Sequence, residues 1–344
     1  MKNRRCPRCH AYFAAPARFC SRDGTPLVEV DLPEPPAAPE QGSSPADVPA
    51  PSLTGQVLDQ RYRVVKRLGE GGMSYVYLAE EVEGGRSVAV KILTPRLSRD
   101  PGSTERLKRE ASIAMRLQHP NVCPILRVGQ TADGLLYLVM PYLAGEPLSE
   151  LEARSGPLPV GTGIPLLIQV CSGLQHAHEL QIVHRDLKPE NVMLVPEPGA
   201  PGGHRAVVMD FGLAKERRAG AELVKLTATG IVLGTPEFMS PEQIRGKPLD
   251  GRSDIYALGV LAFEMFTGQL PFPGKTAQEA MLARLKSEPL RLRQVRPDLP
   301  AKLEAVIART LQPHPEDRYA SMNELAAALQ SVGTTGMFSR LFGR

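Results

Sequence analysis

Two stretches concentrate the residue types that could do chemistry. His184 to Asn191 reads HRDLKPEN, and Asp210-Phe211-Gly212 follows after a hairpin-length stretch. Together they offer two carboxylates, a lysine and a side-chain amide, groups that can accept a proton, offset anionic charge and present oxygen ligands to a hard cation. A third stretch lies near the start of the chain. Cys6-Pro-Arg-Cys9, ten intervening residues, then Cys20-Ser-Arg-Asp23-Gly24 presents three thiols and a carboxylate at a spacing suited to zinc.

These groups need elements that hold them. LGEGGMSYVYLA, Leu68 to Ala79, reads as strand, glycine turn, strand, with Val76 and Leu78 alternating against Tyr75 and Tyr77. Such a hairpin can lay bare amides over phosphates, although glycines make ordinary turns about as often. In RSVAVKIL, Val88, Val90 and Ile92 point to one strand face and Ala89 and Lys91 to the other. A lysine facing a pocket needs an anion; the plainer alternative is a surface lysine that keeps its head in water. In TERLKREASIAMRLQHP, helical spacing puts Leu107, Glu110, Ala114 and Leu117 on one face, so Glu110 sits on an apolar seam where an unpaired carboxylate would be costly.

In this order the motifs resemble the protein-kinase family, from about Tyr62 to Gln330, and look closest to the eukaryotic-like serine/threonine kinases of bacteria because of the GGM loop and the SPEQ segment. The resemblance implies an α+β, two-lobed protein-kinase fold, a small β-rich N-lobe at about 56–142 and a large helical C-lobe at about 143–332. It implies ATP as phosphoryl donor with magnesium or manganese, and serine and threonine hydroxyls of proteins as acceptors. Asp186 would orient the hydroxyl and take its proton, and Lys188 would offset charge on the moving group. Asn191 and Asp210 would hold the cation. Lys91 would pair with Glu110 and reach the ATP phosphates. Leu68, Gly69, Gly71, Gly72, Ser74, Val76 and Ala89 would enclose the nucleotide. Ser74 stands where the family usually has a third glycine, which stiffens the loop or adds a hydroxyl near the phosphates.

LYLVMPYLAG, Leu136 to Gly145, resembles the strand and hinge that meet adenine, with Met140 as gatekeeper and Leu143 supplying a backbone amide. Pro141 lacks an amide, but the family uses that position's carbonyl. The segment from Gly212 to Glu242 is similar to activation and substrate-docking loops. The resemblance implies Thr227 and Thr229 as its phosphate acceptors and Arg185 as the partner for that phosphate, with unmodified loop threonines as the plainer alternative. Asp254 matches the anchor of the catalytic loop, and Arg318 matches the partner of Glu242. SDIYALGVLAFEMF is apolar on nearly every face, as a helix through the middle of a domain must be.

Charge divides unevenly along the 344 residues. Residues 1–30 carry six Lys/Arg against two Asp/Glu, residues 31–55 four acids and no base, and the remainder 35 bases against 31 acids. The overall +4 hides a basic head, an acidic linker and a nearly balanced body, which argues against nucleic acid as the main partner. There is no uncharged apolar run of about eighteen residues and no signal-peptide core after MKNRR, so no transmembrane segment is expected and the default location is cytoplasmic. Residues 31–55 hold seven prolines and no aromatic residue and read as a linker; residues 333–344 form a tail.

The head, residues 1–30, resembles a zinc ribbon, with Cys6, Cys9, Cys20 and Asp23 as ligands of a structural zinc and His10 as an alternative fourth ligand. A metal-free redox or disordered segment is the competing reading. Cys123 and Cys171 read as buried packing residues. A transient homodimer for autophosphorylation and a partner recruited by the ribbon complete the expectations. A nucleotide-binding pseudokinase scaffold is the second reading; Lys91, Asp186, Asn191 and Asp210 together favour the enzyme.

Overall fold

A computed structural model describes residues 3–5, 12–14, 28–30, 53–71, 74–95, 105, 108, 111–200, 202–211, 236–274 and 276–342; of 3–5, 12–14, 29, 30, 277, 278 and 333–342 it describes the backbone. The chain divides into two compact units, Met1–Ser52 and Leu53–Arg344. In the first, β1 (Asn3–Arg5) pairs antiparallel with both β2 (Tyr12–Ala14) and β3 (Val28–Val30). Cys6, Cys9, His10, Cys20 and Asp23, the residues of the zinc reading, lie outside the described residues.

The second unit opens with an antiparallel six-stranded sheet. Its strands are β4 (Val57–Leu58), β5 (Tyr62–Gly71), β6 (Ser74–Glu81), β7 (Ser87–Leu93), β8 (Arg127–Gln130) and β9 (Leu136–Pro141), in spatial order β4-β5-β6-β7-β9-β8. The alternation expected for β7 holds. Val88, Val90 and Ile92 are fully buried on one face with Tyr62, Tyr77 and Val139, whereas Ala89 joins Leu138, Met140, Cys123 and Val207 on the other. Two buried faces on one sheet explain the near-continuous apolar run of β9. Leu53 is also buried in the first of these clusters, so the fold takes in residues 53–55, which composition assigned to the linker.

The rest of the unit is mostly helical. A small sheet of β10 (Glu146–Pro147), β11 (Val192–Pro196) and β12 (His204–Val208) lies against α1 (Leu148–Ser155) and α2 (Val160–Glu179). After it come α3 (Pro241–Ile244), α4 (Gly251–Thr267), α5 (Ala277–Lys286), α6 (Leu292–Val295), α7 (Ala301–Thr310) and α8 (Met322–Phe342). Helix α4 starts where the Asp250 side chain accepts from Arg252 N and stops at Gly268, whose φ of 70° suits a residue without Cβ. Between these ends it is buried on nearly all sides, as its composition required.

Chain crossings bring the pieces of the site together. Cys123 N donates to Val208 O and Val208 N to Asn121 O, both at 2.9 Å, stitching residues 121–123 to the end of β12. Helix α2 backs this seam so closely that a Cβ on Gly173 would stand 2.6 Å from Asn121 O. Any larger residue there would force the helix and the seam apart.

Candidate active site

The loop 184–191 is held by one buried carboxylate. Asp254, 1 % exposed at its side chain, accepts from His184 N at 2.8 Å, Arg185 N at 3.0 Å and His178 Nε2 at 2.7 Å. Burial pushes its pKa up, but the His178 hydrogen bond and charge, with His184, outweigh that and hold the carboxyl below the usual range. It therefore stays ionised and keeps accepting. Arg185 sits at φ 66°, an unusual conformation for a non-glycine residue, and the Arg185 carbonyl accepts from Gln243 Nε2 at 2.8 Å. The loop is thus clamped from both sides of its tightest point.

His184 does different work. Its Nδ1 accepts from Asp186 N at 3.2 Å, so Nε2 carries the ring proton and donates to Met209 O at 2.7 Å. Met209 N in turn donates to Asn191 O at 2.8 Å. With both backbone groups of Met209 fixed by the loop, the next residue is aimed by the backbone. Asp210, at φ 54°, places Oδ1 2.7 Å from Lys91 Nζ, the lysine 20 % and the aspartate 38 % exposed. Enclosure by protein pushes the Asp210 pKa up, but Lys91 above all, then His184 and Lys188, draw it below the ordinary carboxylate range.

Asp186 and Asn191 complete the cluster. Asn191 Nδ2 donates to Asp186 O at 2.8 Å and lies 3.4 Å from Asp186 Oδ2. This commits the amide nitrogen and leaves Oδ1 as the acceptor of Asn191. The donors available for a cation are then a carboxylate and an amide oxygen, a set that fits magnesium or manganese. Leu187, fully buried, anchors the loop between these polar residues.

Most of the expected nucleotide residues lie on β5, β6, β7 and β9. Leu68, Gly69 and Gly71 lie on β5; Gly69 pairs with Val76 and Gly71 with Ser74 across the hairpin. Ser74 is buried, so the residue in the third-glycine position closes the hairpin inside the protein. Val76, Ala89, Met140 and Leu143 share one apolar cluster, with Val76 and Leu143 only partly buried. The Leu143 carbonyl accepts from Gly145 N at 3.0 Å. Gly145 itself leaves no room for a side chain, since a Cβ there would collide with the Leu194 carbonyl. Cys123 borders the same cluster; burial, with Asp210 adding to it, pushes its thiol up to about 12. Neither Cys123 nor the buried Cys171 is in a disulfide.

Lys91 meets Asp210; Glu110, the carboxylate paired with it from sequence, lies outside the described residues, as do Gly72, Thr227 and Thr229. Sequence reasoning missed His178 and Gln243. Both act across long gaps, His178 on Asp254 and Gln243 on Arg185 O, and no local spacing signals such pairs. The scaffold pair was legible. Arg318 Nη1 and Nη2 meet Glu242 Oε1 and Oε2 at 2.8 and 2.9 Å, and Ser253 Oγ adds a bond of 2.7 Å to Oε1.

Comparison with known proteins agrees with this geometry. The protein kinase domain model matches residues 62–329. Serine/threonine-protein kinase pkn3 of Myxococcus xanthus is 40 % identical over 280 residues, 81 % of this chain and 51 % of that protein. Pkn1 of the same organism is 43 % identical over 270 residues, 78 % of this chain and 38 % of that one. The crystal structure of the Mycobacterium tuberculosis PknI kinase domain superposes with a TM-score of 0.65 at 30 % identity, covering 82 % of this chain and all of that one. The chain therefore belongs to the protein kinase domain family. It spans about half the length, or less, of these curated relatives.

Proposed function

We propose that the protein is an ATP-dependent serine/threonine protein kinase. The observation that carries the reading is the convergence of Lys91, Asp210, Asn191 and Asp186 on one site, fixed by the Lys91–Asp210 ion pair and the Asn191 bonds to Asp186. In the reaction a serine or threonine oxygen bonds to the γ-phosphorus of ATP, the bond from that phosphorus to the bridging oxygen breaks, and ADP leaves. The hydroxyl proton goes to Asp186. Lys188 faces the charge on the moving group, and Lys91 orients the phosphates. Magnesium or manganese, when bound, supplies charge neutralisation between the phosphates through oxygens of Asn191 and Asp210. Such loose transition states need alignment and positive partners more than covalent help.

The pseudokinase scaffold is not favoured, because each of these groups is present and oriented by its neighbours. Glu110 is the reading's further partner for Lys91, and Leu68, Gly69, Gly71, Gly72, Ser74, Val76, Ala89, Met140 and Leu143 are its nucleotide contacts. Thr227 and Thr229 are proposed as autophosphorylation sites answered by Arg185, through a transient homodimer. The head is proposed to hold one structural zinc on Cys6, Cys9, Cys20 and Asp23 or His10 and to recruit a partner. Among the described residues no helix is long and apolar enough to cross a membrane, and a cytoplasmic location is proposed. Incubation with γ-labelled ATP and magnesium should place label on serine or threonine of the protein itself or of a basic test protein. Label on tyrosine alone, or none, would overturn the reading.

A further inference from the structure

A cavity of about 540 Å³ lies away from the phosphotransfer site, between the end of α5, the 287–292 segment and α7. Its size falls in the range of roughly 300–1,000 Å³ typical of small-molecule sites. Phe263, Phe272 and Leu290 make one apolar wall, and α7 turns Ala305 and Ala308, three residues apart on one helical face, toward the opening. Both alanines are exposed, so their short side chains are what leave the space unfilled.

Arg284 also lines the cavity. It is 3 % exposed, and its Nη1 donates to Pro236 O. Its Nε is buried without a hydrogen-bond partner, and among the described residues no carboxylate forms an ion pair with it. A guanidinium stays charged in a protein, so this is a desolvated cation answered by one neutral carbonyl. Burial lowers its pKa, with only partial compensation from Tyr256 and Glu237. The acids that border the cavity do not answer it: Glu288 is exposed, and a Glu304 oxygen already accepts from Arg293 N at 2.6 Å. A guanidinium without a carboxylate partner, on a residue that lines an apolar chamber, matches a carboxylate carried on an aliphatic body.

We propose that this cavity is a binding site for a small amphipathic carboxylate, its charge on Arg284 and its chain along Phe263, Phe272 and Ala308. The proposal goes beyond phosphotransfer and is tested without ATP, so its failure would leave that reading untouched. Calorimetric titration of the full chain should show octanoate binding at one site, about tenfold or more tighter than octan-1-ol. Ala308→Phe, a change on an exposed position that fills the chamber, should abolish octanoate binding without lowering the melting temperature. Arg284→Met should bring octanoate and octan-1-ol to equal affinity. If that variant fails to fold, the first two measurements decide. No saturable octanoate binding up to about 5 mM, equal binding of the alcohol by the native protein, or binding undiminished by Ala308→Phe would each overturn the proposal.

Discussion

Glu152 on α1 carries a carboxyl whose Oε1 is buried without a hydrogen-bond partner among the described residues. Burial pushes its pKa from 4.5 up to about 8, and the charges of Glu264 and Glu190 add to the shift. Between those two values the folded protein holds a proton that the unfolded chain has released. Stability from this group therefore falls as pH rises from 4.5 to about 8 and levels off above. Glu152→Gln should raise stability at pH 8 by on the order of 1 kcal/mol or more and have little effect near pH 4.5, read as urea midpoints across pH. A pH-independent difference would contradict this. No local spacing marks this carboxyl, because its neighbours Glu264 and Glu190 come from α4 and the loop 184–191. By contrast the grouping of Asp186, Lys188, Asn191 and Asp210 was readable because they lie in short motifs that resemble those of the protein-kinase family, from which their proposed roles come.

Elements carry the positions of those groups, and the Arg318–Glu242 pair ties α3 to the segment before α8. The side chains are 0 % and 7 % exposed. Burial pushes the Glu242 pKa up, but Arg318 and Ser253 hold it below the usual range. Arg318→Met would strand a buried carboxylate and should cost about 3–5 kcal/mol in urea unfolding. Adding Glu242→Leu should recover only part of the loss, because Arg318 also donates to the carbonyls of Arg252, Gln312 and Pro313. Full recovery would mean that the ion pair alone matters. This pair and the alternation of β7 were readable because motif and period each point to one arrangement. The Met209 clamp was not, since its bonds run from backbone groups, which residue types do not distinguish.

At the scale of the molecule, the boundary after Ser52 separates two units. About thirty residues cannot bury enough apolar surface to fold unaided, which is why a metal is proposed for the head. Removing residues 1–52 should change the unfolding free energy of the remainder by less than about 0.5 kcal/mol and leave basal turnover on a generic substrate unchanged. Native mass spectrometry should find one zinc on the intact chain, lost in Cys9→Ser or Cys20→Ser. A metal-free chain prepared without chelator would end the zinc proposal, and lost turnover after truncation would end that of independence. Composition assigned residues 31–55 to a linker, but it could not show that Leu53 is buried with the sheet, because that depends on a partner surface and not on the segment's own residues.

The clamped loop is proposed to present Asp186 to an acceptor hydroxyl. The direct measurement compares the native protein with Asp186→Asn in single-turnover phosphate transfer at saturating ATP, with nucleotide affinity measured in parallel. The substitution keeps side-chain volume and removes the proton acceptor. Transfer should fall about a hundredfold or more while ATP binding is retained. Transfer at the native rate in Asp186→Asn would contradict the account.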